Sequence, residues 1–141
     1  NPEAAEKMAQ VLNLLGSQHS IVVHGDDGLD ELTLSSDTQI WEIQSGDGQR
    51  YKVSPTQMGL SPASLSDIRG GDKTVNARII LEIFDGRHGP ARDVVLLNSA
   101  GVMVVGGIAT DLPEGIAMSK DVIDSGAAAK RVDALVNLSQ K

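Results

Sequence analysis

The chain has no cysteine among its 141 residues. It therefore forms no disulfide, offers no thiolate to a metal and contains no cysteine nucleophile. It suits a reducing compartment, which we expect to be the cytoplasm. Aromatic residues are almost as scarce, with one Trp, one Tyr and one Phe. Proteins that hold single-stranded nucleic acid stack its bases on several aromatic rings, so the composition disfavours that class of function.

Positive charge and long apolar runs are also in short supply. The 12 Lys and Arg are scattered among 19 Asp and Glu, and the formal net charge is −7. A duplex-binding protein needs a concentrated positive field, so nucleic acid is not an expected partner. No apolar run is long enough to cross a bilayer and no signal-peptide pattern opens the chain, so no membrane partner is expected.

The length fits one domain, or part of one, and is sufficient to bury a core. The first residue is Asn1 rather than Met. We therefore expect the chain to be a processed or excised piece of a longer protein.

The most informative stretch is an acidic loop that directly follows an apolar run. The β-branched residues 21–23 predict a buried strand, and Gly25 and Gly28 allow the backbone to turn tightly. The loop carries four carboxylates, which are Asp26, Asp27, Asp30 and Glu31. An acidic loop at the end of a strand is where an open α/β sheet usually binds ligands.

The adjacent carboxylates Asp30 and Glu31 are candidates for holding Mg²⁺. Magnesium prefers carboxylate oxygens and usually takes one or two of them together with substrate phosphates and water. The pair can act together only if the loop is not extended strand there, because strand side chains alternate between faces. The β-prone residues 32–34 follow at once. On spacing alone, a solvated acidic turn is the commoner case, and the pattern is not that of an EF-hand.

Strand patterns cluster in the first part of the chain. Residues 38–44 and 49–53 alternate in polarity around a turn at Gly46–Gly48, which predicts a β-hairpin. Together with the segments beside the acidic loop, this predicts roughly four strands. Residues 56–70 are irregular, with a possible helical turn near 63–67. Such a short sheet needs further strands to complete it.

Helical patterns occupy most of the remainder. Capping and apolar spacing predict helices from Asn1 to Gly16, from Lys73 to Phe84 with Asp72 as N-cap, from Asp111 to about Ser125, and from Ala127 to Leu138. Periodicity leaves residues 90–107 open between two buried strands around a turn and one helix buried on all sides.

Other chemistry-bearing residues give weaker signals. His24 suits a general base, a metal ligand or a phosphate partner, although a lone histidine at a strand end is more often structural. His19 and His88 have no partner pattern and are expected at the surface. Ser99 has no histidine or acid at a telling spacing, so a nucleophile is unsupported.

Two further segments contain arginine beside acids or glycines. Arg69–Asp72 precedes a helix and resembles an anion-binding turn, but a glycine turn with an Asp cap is commoner, and that cap would occupy the N–H groups. Arg92 and Asp93 are expected to form a local ion pair near a helix start.

Several motifs in order closely resemble anthranilate phosphoribosyltransferase over essentially the whole chain. They are Val22–Leu32 (VVHGDDGLDEL), Arg69–Asp72, Asn76–Ala77, Gly89–Asp93, Leu96–Asn98 and Ile123–Ala128. The pyrimidine nucleoside phosphorylases share the general fold but match less closely. The resemblance decides for a helix over residues 90–107. It also identifies Asp30 and Glu31 with the family's magnesium-binding pair, and leaves Asp26 and Asp27 as supporting loop.

The resemblance implies an α/β fold. Residues 1–141 would form a single partial domain, the C-terminal portion of the family's large mixed-sheet α/β domain of the nucleoside phosphorylase/phosphoribosyltransferase type, incomplete on its own. The implied activity is transfer of the phosphoribosyl group of phosphoribosyl pyrophosphate (PRPP) to anthranilate, with release of pyrophosphate, in tryptophan biosynthesis. The implied cofactor is Mg²⁺, and the implied assembly is a homodimer built by a helical domain.

The family's glycine-rich PRPP loop, its Lys-His-Gly-Asn stretch, its anthranilate-contacting arginine and its helical domain all lie upstream of the matched region. This chain is therefore expected to supply a metal-holding half-site with no catalytic residue of its own, and to be inactive alone. The alternatives are a related pyrimidine nucleoside phosphorylase, and an excised, non-catalytic module that binds a partner chain.

Overall fold

The computed structural model describes residues 1–140. These residues form five α-helices: α1 (Pro2–Leu14), α2 (Lys73–Phe84), α3 (Pro90–Val105), α4 (Leu112–Asp124) and α5 (Ala127–Ser139). A short 3-10 helix (Thr56–Met58) lies in the segment predicted to be irregular. Its three strands are β1 (His19–Gly25), β2 (Thr38–Gln44) and β3 (Asp47–Val53). Within the described residues, no helix is both long and apolar enough to span a bilayer. The α/β class predicted from the sequence is confirmed.

The strands form an antiparallel sheet in the order β1-β2-β3. Val22 pairs with Trp41, and Trp41 pairs with Arg50 across the predicted hairpin. Where roughly four strands were predicted, three are present in residues 1–140. The β-prone segment 32–34 is not a strand. Leu32 and Leu34 are nevertheless buried, because they pack as irregular chain against the core under α3.

Helices cover both faces of the sheet. On one face, Ala5 and Ala9 of α1 pack against Trp41 and Ile43. On the other, Ile40 of β2 packs with Leu97 and Ala100 of α3. Both faces of β2 are thus buried, which is why its apolar residues do not keep to one side.

The predicted helices are present, with one difference in what they bury. The helix from Lys73 to Phe84 has the predicted ends, and residues 90–105 are one helix. In α1, however, the larger apolar side chains, including Met8 and Val11, are exposed, and the small Ala5 and Ala9 face the sheet. The possible helical turn near 63–67 is a simple turn at residues 65–67.

A polar network lies on the α3-facing side of the sheet. The carboxylate of Glu42 accepts hydrogen bonds from His19 Nε2 at 2.8 Å, Tyr51 OH at 2.8 Å and Gln49 Nε2 at 3.0 Å. His19 was expected at the surface without a partner, and that prediction is wrong, because strand pairing places its ring beside Glu42. Burial alone would raise the pKa of Glu42, but these hydrogen bonds outweigh burial and hold the pKa below its usual range.

Stability should depend on pH through Glu42. A carboxyl whose pKa is lower in the folded chain stabilises the fold above its unfolded pKa, near 4.3. That contribution is lost as the pH falls through the folded pKa. We expect Glu42→Gln to lower the free energy of unfolding by about 2 kcal/mol near neutral pH, and the difference from the parent chain to shrink in acid. Urea denaturation over a pH series measures this.

The matched control is Asp47→Asn, since Asp47 is an exposed carboxylate of the same hairpin. It should leave the stability curve within about 0.5 kcal/mol of the parent. A Glu42→Gln deficit that stays constant from neutral pH into acid would contradict the assigned cause.

Candidate metal-binding acidic loop

The acidic loop begins where β1 ends, and its glycines set its path. The Gly25 N–H donates to Leu29 O at 2.9 Å, and the Gly28 N–H donates to Gly25 O at 2.9 Å. Gly28 has φ +94°, a conformation that other residues rarely adopt. A Cβ at Gly25 would overlap Asp27 Oδ1 and lie 2.9 Å from Thr33 Cγ2. The loop therefore closes tightly only with glycine at its entrance.

Asp27 fixes the interior of the loop. Its Oδ1 accepts a hydrogen bond from the Leu29 N–H at 3.0 Å, and its Oδ2 accepts from Thr33 Oγ1 at 2.7 Å and from Ser35 Oγ. Burial acts to raise the pKa of Asp27, but the two hydroxyl groups and the N–H lower it below its usual range. Both carboxylate oxygens are thus already used by the protein.

Asp26 ties the loop to the hairpin. Its carboxylate accepts from Lys52 Nζ at 2.6 Å and from Gln39 Nε2 at 3.2 Å. The Lys52 contact, followed by that of Gln39, lowers the pKa of Asp26. These contacts suit the supporting part that the resemblance gave to Asp26 and Asp27.

Asp30 and Glu31 are the two loop carboxylates that remain available. Both are exposed and lie in a bend outside any strand, so the condition for joint action is met. Among residues 1–140, no side-chain hydrogen bond or ion pair engages either carboxylate. Partial burial, then the negative charges of Asp30 and Asp27, raise the pKa of Glu31. Close like charges of this kind favour a cation between them.

The carboxylates of Asp30 and Glu31 can supply part of the coordination of a Mg²⁺ ion, but not all of it. Within the described residues, no group of three or more His, Cys, Asp or Glu side chains is placed to hold an ion. Two oxygen donors are what magnesium commonly takes from a protein when phosphates and water supply the rest. Asp30 and Glu31 therefore suit magnesium together with a phosphorylated ligand, and do not suit a closed all-protein site.

The remaining sequence candidates lie outside this loop or show no partner. His24, the residue before Gly25, is half-buried and makes no side-chain hydrogen bond within the described residues, so its role stays a prediction. His88 is exposed, as expected. Asp72 accepts from the N–H groups of Thr74 and Val75 at 2.9 Å, and Asn76 bonds Gly71. The Arg69–Asp72 turn is thus a capped helix start in which the N–H groups of Gly71, Thr74 and Val75 are occupied.

Arg92 has a different partner from the one expected. The predicted local pair with Asp93 is wrong, since Arg92 Nη2 donates to Asp124 Oδ1 of α4 at 2.6 Å. The side chain is 2% exposed, and its Nη1 has no partner within residues 1–140. Burial raises the pKa of Asp93, against the lowering effect of Arg92. The ion pair therefore joins two helices and is not confined to the start of α3.

A cavity of about 500 Å³ lies between α2 and α3, away from the acidic loop. Its lining includes Arg69, Ile79, His88 and Val94, and none of residues 26–35. The acidic pair is thus a surface site and does not line this cavity.

The sequence of this chain is similar to those of known proteins. The model of a glycosyl transferase family, a/b domain, matches residues 1–129. The anthranilate phosphoribosyltransferase of Acetivibrio thermocellus is 40% identical over 139 residues, which cover 99% of this chain and 40% of that protein. The chain thus spans about 40% of the length of the curated relatives it matches.

Solved structures of such enzymes have the same fold over the matched region. The crystal structure of anthranilate phosphoribosyltransferase from Thermus thermophilus has a TM-score of 0.89 and 32% identity, over 100% of this chain and 41% of that one. The Saccharomyces cerevisiae enzyme in complex with PRPP and Mg has a TM-score of 0.85 and 26% identity, over 94% of this chain and 39% of that one. The resemblance inferred from the motifs is confirmed, and the chain belongs to the glycosyl transferase family whose a/b domain it matches.

Proposed function

We propose that the protein containing this chain is an anthranilate phosphoribosyltransferase. It would transfer the phosphoribosyl group of PRPP to anthranilate and release pyrophosphate, in tryptophan biosynthesis. The observation that carries the proposal is the pair Asp30 and Glu31, two exposed carboxylates with no side-chain partner among residues 1–140. They lie in a chain of which 99% matches such an enzyme. The structural neighbour from Saccharomyces cerevisiae, a complex with PRPP and Mg, supports the same chemistry.

Within this chain, Asp30 and Glu31 would hold magnesium, and Asp26 and Asp27 would keep the loop in shape. The bound ion would offset the negative charge that grows on pyrophosphate as the bond to the anomeric carbon breaks. Neither carboxylate would touch anthranilate. The phosphate-binding part and the anthranilate-contacting arginine belong, by the resemblance, to the segment upstream of the matched region. The homodimer and the cytoplasmic location stay predictions.

The direct test measures phosphoribosyl-anthranilate formation from PRPP and anthranilate with Mg²⁺. We expect the longer protein to consume PRPP only when anthranilate is present, and the purified 141-residue chain to form no product. Without the upstream phosphate-binding part, substrate phosphates cannot complete the coordination, so the chain alone should bind magnesium weakly. Product formation by the chain alone would contradict the half-site. Phosphorolysis of a pyrimidine nucleoside by the longer protein would replace the proposal with the phosphorylase alternative.

A further inference from the structure

The side chain of Asn98, on α3, forms two hydrogen bonds with the backbone of Leu32, the residue that follows the acidic pair. Asn98 Oδ1 accepts a hydrogen bond from the Leu32 N–H at 3.0 Å, and Asn98 Nδ2 donates to Leu32 O at 2.8 Å. The same Nδ2 donates to Val94 O of its own helix at 3.0 Å. A side-chain amide that pairs with both the N–H and the C=O of one residue holds the peptide units on both sides of that residue, much as a neighbouring strand would.

The side chain of Leu32 is held against the same helix. Leu32 is 2% exposed, and it packs against α3 one turn beyond Asn98, at Gly101. A Cβ at Gly101 would lie 3.3 Å from Leu32 Cδ1 and 3.1 Å from Ile21 Cδ1, so glycine allows this close approach. Leu32 is therefore anchored to α3 through both its backbone and its side chain.

The other end of the acidic pair is anchored independently. The Leu29 N–H is bonded to Asp27 Oδ1, within the network that fixes the loop interior. Asp30 and Glu31 thus lie between two fixed residues, Leu29 and Leu32, while their own carboxylates have no side-chain partner in the part of the chain that the structure describes. Holding the backbone on both sides limits the directions that the two side chains can take, and so reduces the ordering that a bound ion must impose.

We propose that Asn98 is a positioning residue for the metal-binding pair. It acts through the Leu32 backbone, orienting Asp30 and Glu31 toward a shared Mg²⁺ without touching the ion. The inference rests on the proposed function and adds to its metal site a residue that lies 66 positions from Leu32 in sequence. Groups that orient metal ligands commonly change metal affinity by about 10–100-fold when they are removed.

The test uses the ¹⁵N-labelled longer protein that contains this chain, with Mg²⁺ in the presence of pyrophosphate as the probe, because phosphate oxygens complete the coordination of magnesium. Mg²⁺ titration followed through the Glu31 and Leu32 amide signals gives the affinity. The rate of hydrogen exchange at the Leu32 amide reports whether its hydrogen bond to Asn98 is kept. Asn98→Ala should weaken Mg²⁺ binding roughly tenfold and speed Leu32 exchange. Asn98→Leu keeps the branched shape of the side chain without its hydrogen-bonding atoms and should do the same if the alanine variant folds poorly.

The matched control is Ser119→Ala on α4. It removes a buried Oγ contact to Met103, which lies on α3 like Asn98, and it does not reach the loop. It should leave both readouts unchanged. Parent-like Mg²⁺ affinity in the Asn98 variants, or an equal loss in Ser119→Ala, would overturn the positioning role alone. No response of the parent protein's loop signals to Mg²⁺ with pyrophosphate present would instead overturn the proposed metal site, and the positioning role with it.

Discussion

Replacing Asp30 by Asn and Glu31 by Gln in the protein that contains this chain should lower turnover by roughly a hundredfold and raise the magnesium requirement. Both substitutions keep the side-chain volume and remove the charge that attracts the ion. A metal acting as Lewis acid supplies several kcal/mol of charge stabilisation, and each 1.36 kcal/mol is about tenfold in rate. Because neither carboxylate makes a side-chain hydrogen bond or ion pair within residues 1–140, the fold should tolerate the change.

The measurement is the initial rate of PRPP-dependent product formation across a magnesium series. It gives the maximal rate and the magnesium concentration at half-maximal rate. The control is Glu6→Gln with Asp121→Asn, which removes the same two charges at exposed positions on α1 and α4. An unchanged magnesium dependence in the Asp30 and Glu31 variant would exclude this pair as the metal ligands.

Removing the partner of buried Arg92 should be the most damaging single change to stability. Asp124→Ala leaves a guanidinium that is 2% exposed without its carboxylate, and Nη1 already lacks a partner within residues 1–140. Breaking a buried pair on one side costs about 3–5 kcal/mol. The Asp124 side chain is 43% exposed, so water moderates the loss toward about 3 kcal/mol. Urea denaturation of both chains measures the difference.

A second substitution separates the cost of an unpaired charge from the cost of lost packing. Arg92→Met in the Asp124→Ala background should recover much of the stability, because an apolar side chain of similar length needs no counter-charge. Asp121→Asn, an exposed acid on the same helix, should change the unfolding free energy by less than about 0.5 kcal/mol. A loss below about 1 kcal/mol in Asp124→Ala would show that water already satisfies Arg92.

Local signals predicted the regular elements well. Asp72 caps α2 and Asp111 caps α4 as their positions indicated, because a cap bonds N–H groups two or three residues further on. The hairpin was also predicted correctly, but its turn lies at Ser45–Gly46 and not at Gly46–Gly48, because Asp47 and Gly48 already pair with β2. Local signals did not predict the stretch 90–105, since a segment buried on many sides has no periodicity. Only the resemblance decided for a helix there.

For the acidic loop, the sequence determined some features and the tertiary structure determined others. The sequence by itself determined that four carboxylates follow β1, and the resemblance selected Asp30 and Glu31 among them. Only the tertiary structure decided which of these carboxylates have side-chain partners within residues 1–140. Asp26 accepts a hydrogen bond from Lys52, and Asp27 accepts from the hydroxyl groups of Thr33 and Ser35. That division depends on how the loop folds back on the hairpin, which no spacing along the chain specifies.

The same reason explains what sequence reasoning missed. His19 meets Glu42 across 23 residues, Arg92 meets Asp124 across 32, and Asn98 meets Leu32 across 66. Helix caps and turns are decided within a few residues, so composition and spacing determine them. Pairings across tens of residues exist only once α3, α4 and the sheet have packed, and so the tertiary structure alone decided them.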